Sequence, residues 1–322
     1  MSVLIDKARF AGHMHDSILC AVRENESDVD GMRLLQVLAG ILTETLLLFD
    51  NPDQGLIASI TKLEQNMSCE AYAGGLTDDS LPPAYMIDTN TELGRGVARK
   101  LFEEWLDCAH EFHDLALFVI QNVMVEMEGN GQNRSLMLGL FHTLAIRALS
   151  YEIAAQELCD IVIEEKIGTE GWSFAESVTG LSAVAGRCLG LSRTLFSPPG
   201  NLDHVGYVMT QEAIRSGIPA GSDWRFGLAA NDAEVSAPFD LIFSLWPRCR
   251  EFFHMIEMHD LVDQAVACAK AAGRMLAVAA GGDMPEIEPV IAKPLAMMAL
   301  TETYITVCRD EPARAAETVE AF

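Results

Sequence analysis

Two histidines and a glutamate interrupt an otherwise apolar stripe in the helical pattern of residues 90–128. Steps of three and four residues place Glu103, His110 and His113 on one helix face. The apolar members of that face are Leu106, Leu117, Ile120 and Met124. Burying an ionisable side chain is unfavourable unless it is paired or ligated, so these three residues are candidates for chemistry.

The helical pattern of residues 133–166 carries Glu152 on a stripe of the same kind. Gly129-Asn130-Gly131 is a short connection, and a short connection makes two consecutive helices antiparallel neighbours. Residues equally far from Asn130 then lie at one height, which brings Glu152 close to the level of His110. We therefore expect one cluster inside the bundle, formed by Glu103, His110, His113 and Glu152.

A Glu-x-x-His spacing occurs at Glu251 and His254, on an inferred helix that starts near residue 240. In ferritin-like di-metal carboxylate proteins, glutamates and histidines that point into a helix bundle hold iron or manganese. Those proteins repeat the spacing on two helices, whereas this chain offers Glu111-Phe-His-Asp114 where the second would be needed. The pattern predicts a site for Fe, Mn or Zn with ligands drawn from Glu103, His110, His113, Glu152, Glu251 and His254.

The dipeptide His-Asp occurs three times, at His15-Asp16, His113-Asp114 and His259-Asp260. Helical phosphohydrolases of the HD type hold divalent metals with such a pair, and this chain resembles them in the dipeptides alone. Adjacent residues on a helix point about 100° apart, so both members of a pair cannot face the core. The alternative for these histidines is a hydrogen-bonded position in the core or at an interface.

Helix signals extend over nearly the whole chain, and alternating β-branched runs bounded by turn dipeptides are missing. Capping patterns such as Thr89-x-x-Glu92 and Ser173-x-x-Glu176 open apolar segments. The sequence therefore predicts an all-α bundle of about nine or ten helices, with long antiparallel hairpins and no significant β-sheet. The predicted helices cover residues 2–23, 30–49, 52–66, 90–128, 133–166, 174–195, 202–215, 240–280 with a break, and 288–309.

Glycine and proline cluster in residues 68–89 and again in residues 197–238. Loops as long as the second segment are typical of lids, docking segments or joints between subdomains. We therefore predict a helical body over residues 1–196, a loop-rich connection over 197–237 and a C-terminal helical portion over 238–322. The C-terminal portion either forms its own domain or packs as one domain with the body.

The chain has 22 lysines and arginines against 47 aspartates and glutamates, which gives a formal net charge of −25. Such a field repels phosphate backbones and anionic membrane surfaces, and no run of basic residues offsets it. Polar residues interrupt the most apolar stretches before the roughly 18 positions that a transmembrane helix needs. We expect neither nucleic-acid binding nor membrane insertion.

The eight cysteines are scattered without a CxxC pair, and the first residues lack the layout of a signal peptide. Both features favour a reducing cytoplasm. No complete nucleophile elbow, phosphate loop or His-Glu-x-x-His zinc helix occurs. The leading prediction is a soluble cytoplasmic protein that acts by binding a protein partner or by forming a homo-oligomer. The alternative is a metal-dependent enzyme, either a di-metal carboxylate oxidase or a phosphohydrolase-like hydrolase.

Overall fold

The computed structural model describes residues 2–23, 31–48, 59, 89–104, 112–131, 133–192, 200–218, 235–281 and 286–319. Within these residues the chain forms ten α-helices, one π-helical segment and no β-strand, which confirms the all-α prediction. The helices are α1 (Ser2–Arg23), α2 (Gly31–Leu47), α3 (Thr89–Glu104), α4 (Phe112–Gly129), α5 (Arg134–Ile161), α6 (Phe174–Leu191), α7 (Gly200–Arg215), α8 (Pro238–Met255), α9 (Leu261–Ala280) and α10 (Pro289–Val319). The π-helical segment is Val162–Glu170.

The chain divides into two compact units. Met1–Pro82 and Asp88–Ser150 form the first unit, and Pro83–Ile87 and Tyr151–Phe322 form the second. The division therefore falls inside α5, whereas the sequence suggested the segment 197–237, of which residues 197–199 and 219–234 lie outside the described part. The reason is that α6 packs along α9 and α10, so it belongs with the helices that follow residue 238.

The first unit is built around α2, which is buried without interruption from Val37 to Leu46. A helix that is buried on all sides needs neighbours on all sides. Here α1, α3 and α4 pack against it. The core of this unit also takes Phe112 from α4 and Phe141 from the first half of α5, both fully buried.

The backbones of α2 and α3 are in direct contact where they cross. A β-carbon built on Gly40 would lie 2.0 Å from the carbonyl oxygen of Thr91, and one built on Gly94 would lie 2.0 Å from that of Val37. Any side chain at either position would collide with backbone, which cannot move aside independently. Glycine at these two positions therefore sets the distance between the helices.

Glu44 lies in the interior of the first unit, and its carboxylate is paired. It accepts a hydrogen bond from the Nε of Arg95 and another from the Nε of Arg99, each at 2.8 Å. Glu44 and Arg95 are almost completely buried, whereas Arg99 is partly exposed. A buried carboxylate without such partners would be strongly destabilising, so the pairing is a condition of packing α2 against α3.

The second unit is built around α6, which is buried without interruption from Ser177 to Gly186. The helix begins with the predicted capping box, in which Ser173 and Glu176 each bond the other's backbone N–H. Along its length α6 packs against α8, α9 and α10. At Gly186 a β-carbon would lie 2.2 Å from the carbonyl oxygen of Leu300, so α6 and α10 also meet backbone to backbone.

Several predicted helix boundaries differ from the structure. Of the single helix expected over residues 90–128, the described residues form α3, which runs to Glu104, and α4, which runs from Phe112; residues 105–111 lie outside the described part. The helix expected over residues 133–166 continues as the π-helical segment, which ends at Glu170 and is capped by Gly171 with a φ of 76°. The break expected within residues 240–280 is confirmed between α8 and α9. The helix expected over residues 52–66 lies outside the described residues, apart from Ser59.

One helical stretch in the described part of the chain, Arg134–Ile167, is long and apolar enough to cross a membrane by length and composition. Its most apolar 18-residue window has a mean hydropathy of 1.2 and is 56% buried inside the protein. Core helices of soluble proteins meet the same two criteria. Phe141 in the core of the first unit and Leu158 in that of the second account for part of this apolar character.

Candidate functional site

Glu103 and His113, expected to share an interior cluster, have different surroundings. Glu103 is exposed on α3. His113, in the first turn of α4, is partly buried, and its Nε2 lies 2.8 Å from the Oγ of Ser59. His110 lies outside the described residues. A hydrogen-bonded histidine at the edge of a core is the alternative that the sequence left open for His113.

Glu251 and His254 also depart from the expected inward orientation. The side chain of Glu251 is 74% exposed and forms an ion pair with Arg248 at 3.2 Å. His254 is exposed, and its ring centre lies 6.1 Å from that of His259. The two residues between them, Phe252 and Phe253, are buried and take the inward positions of α8. This part of α8 therefore turns its aromatic residues, not its Glu-x-x-His pair, towards the core.

Glu152 is buried as expected, and it belongs to a cluster of charged side chains in the second unit. One carboxylate oxygen lies 2.6 Å from the Nζ of Lys270, and the other lies 2.5 Å from the Nη2 of Arg274. Glu212 on α7 accepts a hydrogen bond from the Nε of Arg274 at 2.8 Å and another from Arg215 at 2.9 Å. The cluster therefore ties α5, α7 and α9 together.

The chemistry of this cluster is governed by its pairing. Burial alone would lower the pKa of Arg274, but the adjacent Glu212 and Glu152 carboxylates raise it above its usual value. Each carboxylate accepts charge-assisted hydrogen bonds from cations on neighbouring helices. Their oxygens are therefore occupied by protein donors. The geometry supports a role in fixing helix positions.

The sequence pattern identified Glu152 as a buried acid but did not identify its basic partners. Lys270 and Arg274 lie four residues apart on α9, in a run that is otherwise alanine, cysteine, glycine and methionine. Two basic residues on one face of such a helix are the signal that would have identified them, because an alanine-rich helix is buried and its cations then need carboxylates.

The predicted metal ligands are divided between the two units. Glu103 and His113 belong to the first unit, whereas Glu152, Glu251 and His254 belong to the second. No group of three or more histidine, cysteine, aspartate or glutamate side chains in the described part of the chain is arranged to hold a metal ion. Because His110 lies outside that part, the metal site remains a prediction from the sequence.

The π-helical segment brings a lysine and a serine together. The Nζ of Lys166 donates to the Oγ of Ser244 at 3.0 Å and to a carboxylate oxygen of Glu170 at 2.6 Å, and Ser244 donates to the other oxygen of Glu170 at 3.1 Å. The hydrogen bond from Lys166 lowers the pKa of Glu170. Lys166, Ser244 and Glu170 are thus each hydrogen-bonded to the other two. The triangle therefore joins the segment to α8.

Four thiols of the second unit are buried, namely Cys159, Cys188, Cys249 and Cys268. Burial raises the pKa of Cys159 to about 12, and it also raises the pKa values of Cys188 and Cys268. Thiolate is the reactive form of cysteine, so Cys159, Cys188 and Cys268 behave as small apolar core residues.

An open groove lies between α1 and α4 in the first unit. Its volume is about 440 Å³, and it is lined by Ala11, Gly12, His15, Val119, Asn122, Val125 and Glu126. A β-carbon built on Gly12 would meet no atom within 4 Å, so the glycine leaves open space along α1. The Nε2 of His15 lies 3.4 Å from a carboxylate oxygen of Glu126, which links the two helices.

The exposed side of α4 next to this groove carries two large apolar side chains. Phe118 is 52% exposed and Val125 is 46% exposed. They are seven residues apart, which places them on one face about two turns from each other. Asn122, also exposed, lies between them on the same face. The groove and this face together form what we call the α4 face, defined by Ala11, Gly12, Phe118, Val119 and Val125.

A second, smaller groove of about 260 Å³ lies on the other flank of α1, against α3. It is more polar, and its charged members are His13, Lys100 and Glu104. The Nδ1 of His13 lies 3.9 Å from Glu104, and the Nζ of Lys100 lies 3.8 Å from the same carboxylate. Lys100 and Glu104 both belong to α3, so the contact of His13 with Glu104 is the one of the two that joins α1 to α3, and it is long and solvent-exposed.

Among the sites described, the α4 face is the one that is both open and apolar. The ionic cluster and the serine–lysine contact are internally paired, whereas the α4 face is accessible to another molecule. Comparison with protein-family models, curated proteins and solved structures found no match for this chain.

Proposed function

We propose that this chain acts by binding another protein, and that the α4 face receives a cationic amphipathic helix. The observation that carries the proposal is the groove of about 440 Å³ beside the exposed Phe118 and Val125. Single exposed apolar residues are ordinary, but a groove that adjoins such residues on one helix face is typical of a docking surface.

The shape of the α4 face suits a helix. Helix-in-groove recognition uses apolar anchors spaced by three, four and seven residues on one side of the bound helix. Phe118 and Val125 are seven residues apart on α4, so their spacing matches that of the apolar anchors on a bound helix. The space above Gly12 is free for an anchor side chain, because nothing lies within 4 Å of its β-carbon position.

The charge of the site favours a basic partner. Two carboxylates at its border are well exposed, Glu126 at 59% and Asp16 at 84%. The chain as a whole has a formal net charge of −25, and its electrostatic field attracts cations over distances of about a Debye length. Binding of a cationic helix should therefore weaken as salt concentration rises.

The cytoplasm is the compartment that we propose for this interaction. The chain has free thiols, including the exposed Cys20, and a reducing compartment keeps such groups free.

The test uses a fluorescein-labelled Leu/Lys amphipathic helical peptide of about five turns, titrated with the full chain and followed by fluorescence anisotropy. Gly12→Leu fills the open space of the groove without adding charge, and we expect it to weaken binding about tenfold or more. Gly96→Leu is the matched control, because Gly96 is exposed on α3 and its β-carbon position also meets nothing within 4 Å. A Leu/Glu peptide of the same pattern is the charge control and should not bind.

Equal affinity of the Gly12→Leu variant and the original chain would contradict the proposed site. Equal binding of the Leu/Glu peptide would contradict the charge argument. Sedimentation velocity of the chain without peptide measures its oligomeric state and so tests the other occupant, a second copy of the chain.

A further inference from the structure

Two histidines come together at the turn between α8 and α9. The ring centres of His254 and His259 are 6.1 Å apart, and the two ring planes are inclined by 45°. Both side chains are exposed, so a small ion reaches them directly from solvent. The pair belongs to the second unit, whereas the α4 face belongs to the first, so it concerns a site separate from the proposed function.

Hydrogen bonds fix the backbone of this turn. The N–H of Met258 donates to the carbonyl oxygen of Phe253 at 3.0 Å, and the N–H of Glu257 donates to that of His254 at 3.2 Å. These two bonds form a Schellman motif at the end of α8, with Glu257 in the left-handed position at a φ of 56°. The separation of His254 and His259 is therefore defined by the fold before any ligand binds.

The side chains that flank the two imidazoles in the sequence are thioethers. Met255 directly follows His254 and is 70% exposed, and Met258 directly precedes His259 and packs against the core of the second unit. The carboxylate of Asp260 is already engaged, because its Oδ1 accepts two backbone N–H groups at the start of α9. A methionine side chain is unbranched and flexible, so the exposed thioether of Met255 can turn towards a metal held by His254.

The distance between the two rings fits a shared metal ion. With a metal–nitrogen distance of about 2 Å, two imidazoles on one metal have ring centres about 5 Å apart at a tetrahedral angle and about 6 Å apart in a line. The observed 6.1 Å is close to the linear value. Rotation of a ring about its Cβ–Cγ bond directs a nitrogen towards the metal and leaves the ring centre nearly in place.

We propose that His254 and His259 bind one Cu(I) ion, with the thioether of Met255 as the third ligand. Imidazole nitrogen suits copper, and thioether sulfur selects Cu(I) among the first-row metals. Zn²⁺ in proteins takes four ligands in a tetrahedron, which this pair of rings and one thioether do not supply. The net charge of −25 adds a general attraction for cations.

The first measurement is a titration of the full chain with Cu(I), kept reduced by ascorbate in the absence of oxygen. N-ethylmaleimide first blocks accessible thiols such as Cys20, which would otherwise compete for the metal. Equilibrium dialysis with elemental analysis measures the affinity. His254→Gln and His259→Gln should each weaken Cu(I) binding at least about tenfold.

His204→Gln is the matched control, because it removes an exposed histidine of α7. It should leave Cu(I) binding unchanged. Cu(I) should raise the unfolding temperature of the original chain but not that of the His254→Gln variant, and without copper the two should unfold at the same temperature. Equal Cu(I) affinity of the two histidine variants and the original chain would overturn the proposal.

The second measurement identifies the third ligand by nuclear magnetic resonance of chain labelled with ¹³C in its methionine methyl groups. The signal of Met255, assigned by its loss in Met255→Leu, should shift until one equivalent of Cu(I) is bound and then stop. Zn²⁺ should bind at least about tenfold more weakly than Cu(I). An unshifted Met255 signal, or Zn²⁺ binding as tight as that of Cu(I), would overturn the assignment of the site to Cu(I).

Discussion

Removing the charge of Glu152 should destabilise the second unit strongly. Glu152→Gln keeps the size and one acceptor oxygen of the side chain but leaves two cations facing a neutral group. Lys270 is the more affected of the two, because its side chain is 1% exposed and its other carboxylate neighbour, Glu212, is 3.6 Å away. Arg274 keeps its bond to Glu212 at 2.8 Å.

The expected magnitude follows from these contacts. Glu152 accepts two charge-assisted hydrogen bonds, at 2.6 Å and 2.5 Å, and bonds to charged groups contribute about 1.5–3 kcal/mol each. Removing one partner of a buried ion pair costs about 3–5 kcal/mol, since the remaining charge is desolvated and unmatched. We expect about 3 kcal/mol, the lower limit, because the glutamine oxygen still accepts one bond. With a urea dependence of about 3 kcal/mol per molar, the midpoint should fall by about 1 M.

The assay is urea unfolding followed by far-ultraviolet circular dichroism. Glu251→Gln is the matched control, because the same substitution on an exposed ion pair should change the free energy of unfolding by less than about 0.5 kcal/mol. Lys270→Met combined with Glu152→Gln should cost less than the sum of the two single variants, since the double variant no longer buries an unmatched lysine. If Glu152→Gln and Glu251→Gln had equal small effects, the reasoning on the buried cluster would be refuted.

Three further predictions concern packing, thiols and pH. Gly94→Ala should lower the free energy of unfolding by about 1–3 kcal/mol or more, because its β-carbon collides with backbone. Gly96→Ala on the same helix should raise the free energy of unfolding by up to about 1 kcal/mol. Urea midpoints measure both variants, and equal effects would contradict the close contact. Maleimide should label the exposed Cys20 in the native protein but Cys159 only after unfolding, as read by peptide mass spectrometry; native labelling of Cys159 would contradict its burial and its pKa of about 12. A hydrogen bond from the Ser236 hydroxyl, with a contribution from the helix cap, lowers the pKa of Glu176, so its ionised form stabilises the fold at neutral pH and that contribution is lost as pH falls through the lowered pKa. Glu176→Gln should then be less stable than the original at neutral pH and equally stable below that pKa, and a difference that persists in acid would argue against this linkage.

The fold class was predictable because it depends on local signals. Residues that are close together in the sequence predict the capping box at Ser173 and the break before α9, and both features are present in the structure. The division of the chain was not predictable in this way. It falls inside α5, where the helical pattern continues without a marker, because the units are defined by which distant helices pack together.

In the candidate site, too, the local feature was predictable and the long-range contacts were not. Glu152 stood out as an acid in an apolar stripe, but its partner Lys270 is more than a hundred residues away, and no local pattern links the two. The α4 face was not predicted, because apolar residues occur on several sides of α4. The sequence pattern therefore does not distinguish the exposed Phe118 from a core residue.

The sequence by itself determined that this chain is helical, acidic and equipped with buried polar groups that need partners. Only the tertiary structure decided which face of each helix points inward. In α8, a rotation of about 100° per residue separates Glu251 from Phe252, and periodicity alone leaves the absolute rotation of the helix undefined. The neighbouring helices set that rotation by burying Phe252 and Phe253, and they thereby placed Glu251 and His254 in solvent.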